Sequence, residues 1–412
     1  MKQFLPLFFL TTLSLHAQDT VTVFSYNLLR YTYGDTTRDQ YFRTTLGSLN
    51  LDIIVTQENT SAEGVDQFKN NVIEKIYPGI YGAADFIDGP DSDNMLYYKK
   101  SKFTFLSNKP IHTTLRDINE FTLVHTTSPD TLRIYSVHLK ASSGINNETQ
   151  RSTEVDSLRK ITDALPAGTN FIVCGDFNLY HADEAAYQKL LEVKPNSEGH
   201  FYDAITMTGI WNDIAYAKYH TQSPRVRSFG GGINGGLDDR FDLILYSTAL
   251  NDTTKPYIIP NSITTYGNDG NHYNDSINKQ PNTAVSPEIA DALHYGADHL
   301  PVFAKVVFPG KTLQVNSTGL SYKMMKGYSL KPIFPNPANP NTTISFAIPQ
   351  REQITLKIFS ISGMLVQNLA DEQKPPGIYY YTFNGSHLAS GIYFIEFRAG
   401  SFSETKKMVL VK

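Results

Sequence analysis

Six short segments of this sequence close an apolar, strand-like run with side chains able to hold a metal ion or a phosphate. They are Ser25-Tyr26-Asn27, Thr56-Gln57-Glu58, Val137-His138-Leu139-Lys140, Gly175-Asp176-Phe177-Asn178, Arg240-Phe241-Asp242 and Ala297-Asp298-His299-Leu300-Pro301-Val302. Functional residues commonly gather at strand ends and in the loops that follow. One at a time, each segment also has a plain structural reading. Asn27 can cap a turn, Glu58 can be a solvated strand end, and His138 can be an ordinary core or surface histidine. Asp176 and Asn178 can form an Asx-turn, and Asp298-His299 can be a turn before a last strand. Together they supply what hydrolysis of a phosphate ester demands: neutralised nonbridging oxygens, a nucleophilic hydroxide and a stabilised leaving oxygen.

Hard divalent ions such as Mg²⁺ take carboxylate and carbonyl oxygens and keep several waters. Glu58 fits the main ligand, with Asn27 beside it and Asp298 as a further or water-mediated ligand. No Cys/His cluster stands at zinc spacing, so Mg²⁺ or Mn²⁺ is expected rather than zinc. An unperturbed histidine pKa of about 6.5 lets His299 act as general base or hold the scissile phosphate. Asp242 would then bond the far ring nitrogen and fix the tautomer. Lys140 alternates to the His138 side and Arg240 to the Asp242 side, so both are candidates for touching a phosphate. The glycine-rich stretch Phe229–Leu237 lacks the Gly-Lys-Ser/Thr ending of a nucleotide loop, and reads instead as a loop at the rim of the site.

The elements that must position these residues alternate between strand-like and helix-like stretches. Val21–Tyr26 and Leu51–Val55 are β-rich, with Phe42, Leu46 and Leu49 at helical spacing between them. Leu132–Leu139 and Asn170–Cys174 are strands separated by the helical face Val155/Leu158/Ile161/Leu165. Phe241–Tyr246 and Val302–Phe308 complete the set. Packed sheets flanked by helices are the expected architecture.

In this order, the six segments resemble the DNase-like (endonuclease/exonuclease/phosphatase) superfamily over roughly Val21 to Phe308. Gly175-Asp176-Phe177-Asn178 and Asp298-His299-Leu300-Pro301-Val302 are the most specific pieces. The resemblance implies an α/β four-layer α-β-β-α sandwich and hydrolysis of phosphate esters with Mg²⁺ or Mn²⁺. It further implies that Asp176 lies near the attacking water or the leaving group, that Asn178 orients the phosphate and that His138 donates to a phosphate oxygen. Whether His299 or Asp176 takes the proton stays open.

The last 80 or so residues follow a different grammar. Thr343–Ile348, Ile354–Ser360, Ile378–Phe383, Ile392–Arg398 and Thr405–Val411 are short alternating strands separated by Gly, Pro and Asn turns, as in a small all-β sandwich. Phe334-Pro335-Asn336-Pro337, Ile358–Gly363, Leu388–Tyr393 and Lys406–Lys412 resemble the type IX secretion C-terminal sorting domain, which implies passage through the outer membrane by that machinery. A carbohydrate-binding sandwich is the rival reading; Tyr379, Tyr380 and Tyr381 would have to supply its aromatic platform.

Residues 1–17 read as a signal peptide, with Lys2, an apolar run from Leu5 to Leu15, and Ala17. No later apolar run approaches the roughly 18 residues that a membrane span needs. The domains expected are thus 18–309 for catalysis, 310–330 as linker and 331–412 for sorting. Cys174 is the single cysteine, which excludes an internal disulfide, and its apolar neighbours argue against a cysteine nucleophile. From Gln18 to Pro309 there are 24 Lys and Arg against 35 Asp and Glu, a balance of −11; from Gly310 to Lys412 there are 11 against 5, or +6. A −11 segment is poor equipment for long-range capture of nucleic acid. The chain is therefore expected to be an exported metal-dependent phosphoesterase, first an extracellular nuclease. A phosphatase or phospholipase C/sphingomyelinase-like enzyme on the same fold is the alternative, and a non-catalytic surface adhesin the second one.

Overall fold

The computed structural model describes residues 18–411 apart from 129, 228, 310–327, 332, 334 and 375–376. The expected signal peptide and most of the expected linker lie outside the described residues. The chain divides into two compact units, parted between residues 313 and 314.

The first sheet of the N-terminal unit begins with β1 (Asp19–Tyr31), β2 (Ile53–Asn59), β3 (Tyr81–Ala83) and β4 (Asp93–Lys99). The chain then builds a second sheet from β5 (Phe103–Ile111), β6 (Ile118–His125), β7 (Thr131–His138), β8 (Phe171–Asp176), β9 (Phe201–Tyr202) and β10 (Asp242–Ser247). It returns to the first with β11 (Tyr257–Ile258), β12 (Thr264–Thr265) and β13 (Val302–Phe308). The strand orders are β11-β13-β1-β2-β4-β3, with β12 also on β13, and β5-β6-β7-β8-β10-β9. Each sheet holds one parallel pair at its centre, β1 with β2 and β7 with β8.

Side-chain alternation explains why the second sheet is covered on both faces. Ile172, Cys174 and Ile244 point into the core shared with the first sheet, together with Val23, Val55 and Leu96. Val173, Leu243 and Leu245 point the other way, onto Val155 and Leu158 of the helix Ile145–Thr162 and Ala186 and Leu190 of the helix Ala185–Leu191. On the far side, Phe42 and Leu46 of the helix Asp39–Gly47 cover the first sheet. The result is four layers, α-β-β-α. Cys174 is buried, and burial pushes its thiol up to about 12, which keeps it protonated and unreactive.

In the C-terminal unit β14 (Ser329–Leu330), β15 (Asn341–Ile348) and β18 (Gly377–Asn384) form one sheet. β16 (Glu352–Ser360), β17 (Leu365–Lys374), β19 (Gly391–Ala399) and β20 (Phe402–Leu410) form the other. The alternating Ile344/Phe346/Ile348, Ile354/Leu356/Ile358 and Ile395/Phe397/Ala399 supply its apolar core. Pairing begins inside the stretch expected as linker, since Ser329 and Leu330 pair with Ala347 and Phe346. Tyr379 and Tyr381 stack on the buried Phe346 ring, so they pack with the core rather than forming a separate platform.

Candidate active site

Within the second sheet, strand register alone brings three of the chemical residues together. β7 and β8 run parallel with His138 beside Asp176, and β10 runs antiparallel to β8 with Asp242 opposite Asp176. In the other sheet, Asn27 pairs with Gln57 next to Glu58. β13 runs antiparallel to β1 with Val302 opposite Ser25, which puts Asp298 and His299 just beyond the same end of the sheet.

Gly175 permits the close approach of β7 and β8. Its φ is +130°, and a Cβ there would fall 2.1 Å from the Val137 carbonyl oxygen. Glu58 itself sits at φ +62°, where pairing of β2 with its neighbours is interrupted between Thr56 and Asn59. A side-chain-bearing residue in that region stores about 1–3 kcal/mol and persists only where its surroundings enforce it. Here Glu58 Oε1 accepts from Asn27 Nδ2 (3.0 Å) and Oε2 from the Arg30 backbone N–H (2.8 Å).

Asp176 is the hub. Its Oδ1 closes the Asx-turn by accepting from Asn178 N (3.0 Å), while Oδ2 accepts from Asn27 Nδ2 at 3.2 Å. The same Oδ2 lies 3.5 Å from His138 Nε2 and 3.6 Å from His299 Nε2. His299 Nδ1 lies 2.7 Å from Asp242 Oδ2, and Gln222 Nε2 is 2.6 Å from His299 Nε2. Asn178 donates to Leu139 O (3.2 Å), which fixes the loop that follows His138.

The electrostatics follow from burial and these contacts. Burial, helped by Asp242 and Glu58 and opposed by the charge of His299, pushes the Asp176 carboxyl up to about 7. Burial alone would lower His299, but the carboxylates of Asp242 and Asp176 outweigh it and hold the imidazole well above its usual range. His138 is held well below that range by burial and then by Arg116 and His299.

An open cleft of about 420 Å³ exposes Glu58, His138, Asp176, Asn178, Asp298 and His299. Asn27 and Asp242 stand behind it. Asn27 Oδ1 accepts from Leu29 N (3.0 Å), and its Nδ2 donates to the carboxylates of Glu58 (3.0 Å) and Asp176 (3.2 Å), which orients both. Asp298 Oδ2 accepts from Ile233 N (2.7 Å) and so ties the glycine-rich loop to the rim, where Gly232 and Ile233 line the cleft. A Cβ on Gly232 would lie 2.6 Å from that oxygen. Asp298 Oδ1 is buried without a partner.

The structure does not bring Lys140 or Arg240 to the cleft. Lys140 lies past the end of β7, where strand alternation no longer holds, and its ammonium donates to Ala141 O (2.8 Å). Arg240 is buried. It donates to both carboxylate oxygens of Asp203 (2.9 and 3.1 Å) and lies over the Trp211 ring. That ion pair meets the demand of a buried guanidinium, so its role here is structural.

The cleft also contains residues that the sequence reading left out. Gln222 comes from the irregular stretch between His220 and Asp242, where no periodicity marks it. Arg30 stands near the end of β1 and Arg116 in the loop before β6, and at either place a lone arginine looks like any solvated charge. Tyr180 and Phe241 also line the cleft, with their rings edge-to-face at 4.9 Å.

Over residues 24–262 the sequence matches the Endonuclease/Exonuclease/phosphatase family, which is more than half of the chain. The chain belongs to that family. Residues 332–412 match the secretion system C-terminal sorting domain, so the protein is exported by type IX secretion to the cell surface or the medium. Among the described residues no helix is long and apolar enough to cross a membrane.

Solved structures similar to this family member include D. rerio TDP2 complexed with a single-strand DNA product (15% identity, TM-score 0.47), covering 70% of this chain and 98% of that one. An endonuclease/exonuclease/phosphatase family protein from Bacteroides thetaiotaomicron is 14% identical with TM-score 0.43, covering 71% and 98%. The human Nocturnin catalytic domain with bound sulfate is 17% identical with TM-score 0.42, covering 71% and 97%. No curated protein matches the chain.

Proposed function

We propose that this exported family member hydrolyses phosphodiester bonds by attack of water, acting first as an extracellular nuclease. One observation carries the reading: a single carboxylate oxygen, Asp176 Oδ2, lies within reach of Asn27, His138 and His299 at the floor of an open cleft. Nothing in the packing requires that convergence. Four polar side chains buried in contact are costly unless their mutual geometry is used.

The donor set suits a hard divalent cation. Among the described residues no three His, Cys, Asp or Glu are grouped to hold a metal, but Mg²⁺ commonly binds through one or two carboxylates and its waters. Glu58 faces the cleft with two of its roughly four acceptor positions taken by N–H donors, and the others remain for an ion. Glu58 would hold Mg²⁺ or Mn²⁺, and the ion would offset charge on the phosphate oxygens.

The chain's own groups divide the remaining work. Asp242 holds His299 Nδ1 and aims Nε2 at the cleft, where the imidazolium favoured by the two carboxylates would bind a phosphate oxygen. Asp176, raised into the neutral range, is the group suited to exchange a proton with the attacking water or leaving oxygen. Neutral His138 and the Asn178 amide supply further hydrogen bonds to the phosphate.

The −11 balance of residues 18–309 favours a second reading on the same site, a phosphatase or phospholipase C-like enzyme with a small or lipid substrate. Purified protein assayed on plasmid DNA, sphingomyelin and p-nitrophenyl phosphate with Mg²⁺, Mn²⁺ or EDTA separates the two. Nicking of the plasmid that disappears with EDTA is expected. Turnover of sphingomyelin alone selects the second reading, and turnover of none of the three sinks both.

A further inference from the structure

The glycine-rich loop at the rim has a fixed root and an open tip. Its two ends meet, since Ser223 N donates to Gly236 O (2.8 Å), and Gly235 N and Gly236 N both donate to Arg225 O (3.1 Å each). They meet beside the site, because Gln222, one residue before this root, reaches His299. The tip has little packing of its own. A Cβ built on Gly230, Gly231 or Gly235 would meet nothing within 4 Å, and Ile233 is 57% exposed. Glycine loses more backbone freedom on ordering than any other residue, so such a tip keeps its place only if something holds it.

The Arg225 side chain does so from within the fold, where the residue is 1% exposed. Its Nη1 donates to Phe229 O (2.8 Å) and Gly231 O (3.4 Å), and its guanidinium lies 4.4 Å from the centre of the Phe229 ring. That ring packs in turn on His294 (5.1 Å) and Tyr295 (5.3 Å). Two more side chains pin Ile233: Ser223 Oγ donates to its carbonyl (2.9 Å), and Asp298 Oδ2 accepts from its N–H (2.7 Å). Arg151 and Arg240 are buried against Glu184 and Asp203, whereas the side-chain hydrogen bonds of Arg225, among the described residues, go only to carbonyls of this loop. Burial lowers the guanidinium, and the charge of Asp298 is the first to oppose it, so the two groups that hold the loop also favour each other's charged form.

We propose that Arg225 is a positioning residue for hydrolysis: its guanidinium keeps the glycine-rich loop docked on Asp298, so that Gly232 and Ile233 form one rim of the cleft before substrate arrives. This rests on the phosphodiesterase reading above. It gives Arg225 no contact with the phosphate and no share in the proton transfer. With the loop released, substrate binding has to order it, and affinity falls by the fraction of molecules whose rim is in place. A fraction of about one in ten raises KM about tenfold. Once substrate is bound the rim is formed, so kcat is kept.

The test compares the unmodified protein with Arg225→Met and Arg225→Lys on a fluorophore-quenched single-stranded DNA oligonucleotide with Mg²⁺. Limited trypsin digestion runs beside it, for which the exposed Arg227 is a site inside the loop. Arg225→Met should raise KM about tenfold with kcat held within about twofold. Trypsin should then cut after Arg227 about tenfold faster, since cleavage follows the population of the open loop. Arg225→Lys should recover part of both, a single ammonium replacing the planar fork. Faster cutting at unchanged KM would make Arg225 structural only, unchanged cutting would mean that it does not hold the loop, and a fall in kcat at constant KM would put it in the chemistry; each overturns the inference. Should Arg225→Met fail to fold, Gly232→Ala disturbs the same docking from the exposed side, since its Cβ would lie 2.6 Å from Asp298 Oδ2 and 2.8 Å from Leu29 Cδ1. An unchanged KM in that variant overturns the inference equally. An oligonucleotide left uncut by the unmodified protein would instead remove the phosphodiesterase reading, while the trypsin comparison would still show whether Arg225 holds the loop.

Discussion

The two units of this chain bury different kinds of residue. In the C-terminal unit the described buried side chains are apolar with one exception, Thr342, whose hydroxyl donates to Pro335 O at 2.6 Å. The N-terminal unit buries Arg151 against Glu184, Arg240 against Asp203, and the whole set Asn27, His138, Asp176, Asp242 and His299. Burying polar groups stabilises only when each is partnered, and even then a hydrophobic replacement often does as well. A fold keeps such groups when chemistry needs them or when they hold chemistry in place. The sorting unit has no comparable polar set in its core and needs only a stable sandwich.

The largest effect expected from this contrast concerns activity. Glu58→Gln keeps the shape and accepts from one of the two N–H donors, but removes the charge that would hold a cation. Turnover should fall by about 10³-fold, in line with the several kcal/mol of charge stabilisation supplied by a metal, while the folded state survives. Steady-state kinetics beside circular dichroism checks both halves. Unchanged turnover would take Glu58 out of the site and leave its left-handed backbone without a functional reason.

Next comes a polar pair outside the cleft. Arg240→Ala strands Asp203 in the interior, and loss of one partner from a buried ion pair costs about 3–5 kcal/mol. Chemical denaturation should show that loss with KM little changed in the folded protein. A raised KM at undiminished stability would mean instead that Arg240 reaches substrate. In the apolar unit, Leu356→Ala should cost about 2–5 kcal/mol through transfer and cavity terms. Amide exchange in β15–β20 should quicken while hydrolysis stays at the unmodified rate.

The same contrast explains what was readable from sequence. The core of the C-terminal unit was legible because Ile344, Phe346 and Ile348 alternate without interruption. β17 escaped because its polar run Leu365–Lys374 is an edge strand with little burial. In the N-terminal unit the chemical residues stood out because each stands at one end of an apolar strand or just beyond it, and register carries them to one place. β5 and β6 were missed where polar residues such as Ser107, Asn108 and Glu120 dilute the alternation. Gln222, Arg30 and Arg116 gave no local sign. Their meaning lies in contacts between segments far apart in sequence, which no periodicity encodes. Lys140 and Arg240 show the opposite error, alternation extended past the strand end by a residue or two.

The smallest effect expected is one of pH, and it again falls on the polar unit alone. Asp269 accepts four hydrogen bonds, from the Asn271 N–H (2.9 Å), His272 Nδ1 (2.9 Å), the Thr283 N–H (2.9 Å) and Thr283 Oγ1 (3.2 Å). Burial would raise its carboxyl, but the donors from Thr283, Asn271 and His272 outweigh it and hold the group well below the usual aspartate range. A lowered folded value means that the unfolded chain takes up the proton first on acidification. The stability from this carboxylate is therefore complete above about pH 4–5 and drains away as pH falls toward the lowered folded value. Asp269→Asn should cost about 1.5–3 kcal/mol at pH 7, the range for hydrogen bonds to a charged group. Urea unfolding of the two proteins from pH 7 to pH 2 should show that gap closing as the solution becomes acid, with amide exchange in β15–β20 indifferent to the substitution throughout. A gap that stays constant across the range would mean that the carboxyl binds its proton equally well in the folded and unfolded chain, so that its charge adds nothing to the fold.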